Sequence, residues 1–213
     1  MKRSIALSAA ILAAALTVTV TAHADDTTTY DFSGFDEIDV AAGIEVIYMT
    51  KPDYSVTAKF HRGGPEDLKV RQEGERLYIS KKMKSGWGDN LRVTVTVTSP
   101  KLTEIEASSG SSVSASDVAA DSFTLKASSG ASAEVTGTCG AITVKASSGG
   151  SADARDFKCE DVSASASSGG SVEAYASKSA TSKTSSGGSV DIWGNPASRD
   201  ANESISGGST DFH

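Results

Sequence analysis

Six side chains that follow a recurring glycine by four residues are the first place to look for chemistry: Ser114, Glu134, Asp153, Glu173, Asp191 and Asp211. In a stacked structure five carboxylates would share one column, ~4.8 Å apart, and like charges so placed repel one another. A divalent cation would offset the repulsion. Calcium favours such oxygen ligands, which makes Glu134, Asp153 and Glu173 a candidate calcium site, the plainer expectation being a solvated acidic face with screened charges. Two residues further on stand Ser116, Thr136, Arg155, Tyr175, Trp193 and His213. Arg155 would sit among Glu134, Asp153 and Glu173 and neutralise them. Tyr175 and Trp193 would stack one coil apart beside Glu173 and Asp191. Such rings could hold a sugar by face contact, with hydrogen bonds to its hydroxyls, or could simply pack near the C-terminal end.

These columns exist only if the chain repeats, and it does. Ala107-Ser108-Ser109-Gly110 returns as Ala127-Ser128-Ser129-Gly130, Ala146-Ser147-Ser148-Gly149 and Ala166-Ser167-Ser168-Gly169, with looser copies at Thr184-Ser185-Ser186-Gly187 and Ser204-Ile205-Ser206-Gly207. The glycines are 20, 19, 20, 18 and 20 residues apart, a period that marks a solenoid. Three and five residues after each of the first five glycines come apolar side chains, Val113 and Ala115 for example, and after the last come Thr210 and Phe212. Phe123 and Leu125, Ile142 and Val144, and Val162 and Ala164 precede the next corner. Alternation of this kind predicts two inward-facing strands per coil, a corner at Ser-Ser-Gly and a second corner between Asp117 and Asp121. A corner needing positive φ explains the glycine. The outward second strand reads Glu106, Lys126, Lys145, Ser165 and Lys183, beside Glu104, Thr124, Thr143, Ser163 and Thr181. Lysine in the second row argues against ice binding, and threonine suits a strand.

The chain opens with Lys2 and Arg3, an apolar run from Ile5 to about Val20, and Ala22-His23-Ala24. This predicts a signal peptide over 1–24 and a single exported domain over 25–213, with no membrane span after cleavage. Losing Lys2 and Arg3 leaves 18 basic against 27 acidic side chains, a surface unsuited to nucleic acid. From 25 to 99 the pattern predicts longer strands: Phe35–Val40, Ile44–Met49 after the Ala42-Gly43 break, Tyr54–Phe60, a hairpin of Leu68–Gln72 with Leu77–Ser80, and Leu91–Thr98. His61–Pro65 and the basic segment from Lys81 to Asn90, which contains Trp87, read as loops. No stretch after the leader reads as a helix. The whole is therefore an all-β chain, a right-handed parallel β-helix of about 20 residues per coil over 100–213.

Ser33-Gly34-Phe35-Asp36-Glu37-Ile38-Asp39-Val40 followed by Gly43-Ile44-Glu45-Val46 resembles the opening of the putative auto-transporter adhesin, head-GIN domain family of bacterial exported proteins. Leu77-Tyr78-Ile79-Ser80, Val93-Thr94-Val95 and Pro100-Lys101-Leu102-Thr103-Glu104-Ile105 are similar to its later parts. The Gly-Ile-Asn of the family stands here as Gly43-Ile44-Glu45. The resemblance covers nearly all of the chain after the leader and implies a β-helical fold outside the cytoplasm.

Cys139 and Cys159 each lie ten residues before the next corner glycine, one column on adjacent coils, which places them for a disulfide in an exported chain. His61 has nothing in sequence to make it part of a Ser-His-Asp set, and the glycine pairs precede no helix as a nucleotide-binding loop would. The expected role is a non-catalytic surface or adhesion-type binding module in the periplasm or at the cell surface, taking carbohydrate or another envelope protein. Two alternatives stand beside it. One is a polysaccharide-lyase-like enzyme pairing calcium with Arg155 among Asp153 and Glu173; the other is a structural envelope solenoid. An open C-terminal edge would also allow self-association.

Overall fold

The computed structural model describes residues 21–23, 27–82, 91–203 and 206–213, and their regular structure is entirely β. Most of the expected leader and the basic segment around Trp87 lie outside those residues. The strands of the first half are β1 (Thr21–His23), β2 (Thr27–Tyr30), β3 (Glu37–Val40), β4 (Glu45–Thr50), β5 (Ser55–Arg62), β6 (Leu68–Glu73), β7 (Arg76–Lys81), β8 (Arg92–Ser99) and β9 (Glu104–Ala107). The repeats form β10 (Ser112–Ser128), β11 (Ser132–Ser147), β12 (Ser151–Ser167), β13 (Ser171–Ser185), β14 (Gly188–Trp193), β15 (Ser198–Glu203) and β16 (Gly208–Phe212). Together they build a β-solenoid of about five turns with about 20 residues per coil.

Two faces emerge from the pairing. On the first, β8, β4, the leading half of β10, then β11, β12, β13, β14 and β16 lie parallel in that order. On the second, β7, β3, β9 and the trailing halves of β10 to β13 lie parallel, ending at β15. Each repeat is thus one long strand that bends where its register shifts, between Ala115 and Val118 in the first. Asp117 sits at that bend with φ +59°, inside the interval where the second corner was expected.

The first half departs from a pure solenoid. β5 runs antiparallel to β8, β2 to β5, β1 to β2, and β6 to β7, so hairpin-type strands extend both faces beyond the first coil. The β6–β7 hairpin forms as expected, with Glu73 opposite Arg76 across a two-residue turn. β5 continues to Arg62, through residues read from sequence as loop, because Arg62 pairs with Arg92 beyond a local irregularity.

The solenoid also begins earlier than the serine repeats suggest. Ala42 and Gly43 have φ of +64° and +68°, close to the +53° and +70° of Ser109 and Gly110. Two consecutive residues at positive φ make a type I′ turn, closed at 108–111 by the Ser111 N–H donating to the Ser108 carbonyl at 3.2 Å. Ala41-Ala42-Gly43-Ile44 is therefore a corner of the same kind. Gly43, Gly110, Gly130, Gly149, Gly169 and Gly187 each donate their N–H to the carbonyl of the next corner at 3.0 to 3.2 Å, which makes one ladder along the molecule. The residue before each glycine, Ala42 or a serine, accepts a left-handed conformation that costs a non-glycine residue roughly 1–2 kcal/mol, and the ladder offsets it.

The core narrows from one end to the other. Phe35, Ile38, Ile44, Tyr48, Leu77, Ile79, Leu102 and Ile105 fill the first coils, whereas alanine and valine predominate from Val113 to Val190, around Phe123, Leu125, Ile142 and Phe157. The buried Tyr48 hydroxyl lies 3.1 Å from the Ser99 carbonyl, to which it donates, and 3.0 Å from the Ser99 hydroxyl. With such small side chains the repeats depend on ladders and on contact between neighbouring coils.

Candidate functional site

Ser114, Glu134, Asp153, Glu173, Asp191 and Asp211 are consecutive register partners, so the acidic column is a fact of the fold. Glu173 stands at its centre. Partial burial raises the pKa of its carboxyl above the ordinary value, Asp153 and Asp191 add to the rise, and Arg155 and His213 pull it back. Among the described residues no group of three or more His, Cys, Asp or Glu side chains is arranged to hold a metal ion. A strand sends such carboxylates outward side by side, and calcium needs six to eight oxygens converging on one point.

Arg155 does not occupy the position that counting from the glycine gives it. The register of β12 against β13 shifts between Ala154 and Lys158, and Lys158, not Arg155, is the partner of Tyr175. Arg155, Asp156 and Phe157 form the irregularity. Phe157 turns fully into the core and meets Phe123 edge-on, ring centroids 5.2 Å apart. Burying that ring forces the two residues before it outward. The corner spacing held the signal: 20 residues across β12 against 18 across β13, three extra at this bend less one regained between Cys159 and Asp161.

Tyr175 and Trp193 are register partners on β13 and β14. Both rings are half-buried, and each carries a cation: the Lys158 ammonium 4.2 Å from the Tyr175 centroid, the Arg155 guanidinium 4.3 Å from that of Trp193. His213, from the far side of β14, stacks on Trp193 at 4.7 Å and 17°. Its Nε2 lies 3.0 Å from Asp191 Oδ1, and its backbone N–H donates to the Ile192 carbonyl at 2.9 Å. Asp153 accepts the Arg155 backbone N–H at 2.9 Å, and the Lys158 ammonium donates to the Arg155 carbonyl at 2.8 Å. Trp193 thus meets both Arg155 and His213, and Tyr175 meets Lys158. What the patch presents outward is charge and hydrogen-bonding capacity held rigid by aromatic contacts.

On the second face, Arg76 bonds Glu37 at 2.7 Å and Glu104 at 2.9 Å, and Lys126 bonds Glu104 at 2.8 Å. Bonding to Glu37 stabilises the Arg76 cation, while burial followed by Glu106 raises the Asp39 carboxyl against the pull of Arg76 and Arg71. Ion pairs within this cluster engage both Arg76 and Lys126. Sequence reading had not assembled it, because Arg76 arrives from a hairpin outside the repeats. Cys139 and Cys159 are register partners joined by a disulfide, Cα atoms 4.4 Å apart. Beside them an open groove of about 640 Å³ is lined by Lys101, Asp121, Thr138 and Glu160 among others. Among the described residues no helix is long and apolar enough to cross a membrane.

Residues 34–196 match the model of the family described as putative auto-transporter adhesin, head GIN domain. No curated protein matches the chain. Three crystal structures of proteins described as putative adhesins share its fold. That from Bacteroides fragilis is 17% identical with a TM-score of 0.68, covering 87% of this chain and 94% of its own. That from Parabacteroides merdae is 12% identical with a TM-score of 0.56 over 88% and 95%. A third, from Parabacteroides distasonis, is 13% identical with a TM-score of 0.56 over 92% and 98%.

Proposed function

The chain belongs to the putative auto-transporter adhesin, head GIN domain family, and from that premise we propose that it is an exported, non-catalytic binding module of the adhesion type, with carbohydrate as ligand. The observation that carries the reading is the rigid patch at the end of the first face, where Arg155 and Lys158 lie on Trp193 and Tyr175 beside Glu173 and Asp191. Donors and acceptors are fixed there before any ligand arrives. Preorganised groups of that kind bind polar ligands without the entropic cost of ordering them. A flat solenoid face also suits an extended ligand better than a small enclosed one. The three structural relatives, described as putative adhesins, point the same way.

Arg155 engaged on an indole and carboxylates aligned in a row support recognition more than bond breaking, since a lyase needs its base and its cation aimed at one sugar carbon. The test is a glycan array with purified protein, run beside Arg155→Ala and Trp193→Ala. Binding lost in both variants, with folding intact by circular dichroism, is the expected result. Binding undiminished in both would place the contact elsewhere, and no binding to any glycan by the native protein would remove carbohydrate as the ligand.

A further inference from the structure

The two faces of the repeat region carry opposite charges at equal distances from the same corner. Glu134 and Glu173 stand four residues after a corner glycine, and Lys145 and Lys183 stand four residues before one. Because the corners form one stack, the acidic and lysine columns run back to back at similar lateral positions. Each column advances one coil at a time, ~4.8 Å, so a column on one molecule is commensurate with its counterpart on another.

The pattern along the two columns is complementary as well as opposite in sign. On β10 the lysine is Lys126, already held by Glu104 at 2.8 Å, and the acidic column there has Ser114. On β11 Lys145 is exposed and Glu134 is exposed; on β13 Lys183 is exposed and Glu173 half-buried. Among the described residues neither Lys145 nor Lys183 has an ion-pair partner within the chain. On β12 the lysine row has Ser165 where the acidic row has Asp153. Both columns are flanked on the corner side by serines, so little stands between the charges and an approaching face.

We propose that the first face of one copy docks on the second face of another, axes parallel and coils level, with Glu134 opposite Lys145 and Glu173 opposite Lys183. The arrangement is head-to-tail across the faces, so it propagates into rows instead of closing as a dimer. Exposed ion pairs contribute little singly, so contact is weak between free molecules and grows where copies are concentrated on a surface. This surface shares Glu173 with the Trp193 patch, but it is argued from the two charge columns and not from the glycan reading, and the lysine variants test it without touching that patch.

Sedimentation velocity on the purified protein tests it. At about 0.1 M salt, where the net charge is screened beyond ~10 Å but contact pairs are not, concentration-dependent association is expected, weakened at least about tenfold at 1 M. The double variants K145E/K183E and E134K/E173K should each be monomeric, because each has two faces of one sign. An equimolar mixture of the two should associate again. The milder K145S/K183S, which carries the serine already present at 165, should also be monomeric and guards against a folding defect. A native protein that stays monomeric, association that persists in the variants or ignores salt, or a mixture that fails to recover it would each overturn the proposal.

Discussion

Arg155, on β12, lies 4.3 Å above the ring of Trp193, on β14, with β13 between them. That reach exists because Phe157 is drawn inward and the residues ahead of it are pushed out of the ladder. A core aromatic therefore sets the position of a surface cation two strands away.

Trp193→Ala removes the guanidinium contact and the His213 stacking together. Cation–π and aromatic contacts of this sort contribute roughly 0.5–1.5 kcal/mol each, so a loss of about 1–3 kcal/mol is expected. Urea unfolding measures it. Amide exchange should rise in β14 and β16 and not in β10, which separates a local loosening from a general one.

Gly170→Ala is expected to be far more damaging than a surface glycine change. A Cβ there would lie 2.6 Å from the Ala146 carbonyl carbon and oxygen and 2.7 Å from the Ser147 nitrogen, all backbone atoms that cannot yield. The same corner position holds Ser111 and Ala131 in earlier coils, where a side chain is accommodated. A loss above about 3 kcal/mol, or failure to fold, is the expected outcome. Alanine tolerated at 170 in a thermal melt would show that the coils can separate locally.

Glu173 sets the sign of one pH effect. Its carboxyl pKa is raised in the folded chain, by burial first and by Asp153 and Asp191 after that, so the native state holds the proton more firmly than the unfolded one. Stability from this group is complete below the ordinary carboxyl range and is lost as pH rises through the raised value. Glu173→Gln should therefore be slightly more stable than the native protein at pH 7, by less than about 1 kcal/mol given its contact with water, and equal to it in strong acid. Melting curves across pH give the comparison; a variant less stable at neutral pH would mean that hydrogen bonds to the carboxylate outweigh the repulsion.

Cys139→Ser with Cys159→Ser removes a bridge across 20 residues of sequence. Loop-closure entropy puts the cost at about 3 kcal/mol. Denaturant titration of the oxidised protein against the double variant checks it. Near-equal midpoints would mean that the ladders alone hold β11 and β12 in place.

How far the chain could be read depended on what repeats. Corner glycines, inward alanines, the acidic column and the cysteine pair all lie at fixed offsets, and β pairing carried each offset from coil to coil without error. Arg155 escaped because an offset cannot reveal a bend that consumes extra residues, although the 20 and 18 residue spacings on either side held that information. Ala42-Gly43 escaped because the corner requires positive φ and not serine as such. The antiparallel placing of β5 between β2 and β8 escaped for another reason: alternation identifies a strand without telling which neighbour it will choose. Arg76 joined Glu37 and Glu104 only once β7 had been placed next to β3.

The bond between Cys139 and Cys159 has a mechanical side. A coiled ribbon pulled from its C-terminal end should peel one turn at a time, each turn paying out its length as its ladder tears. When peeling reaches the crosslink, the 20 residues between the two sulfurs cannot lengthen, and the load passes directly from β12 to β11. A module built this way would extend in steps through its last turns and then hold.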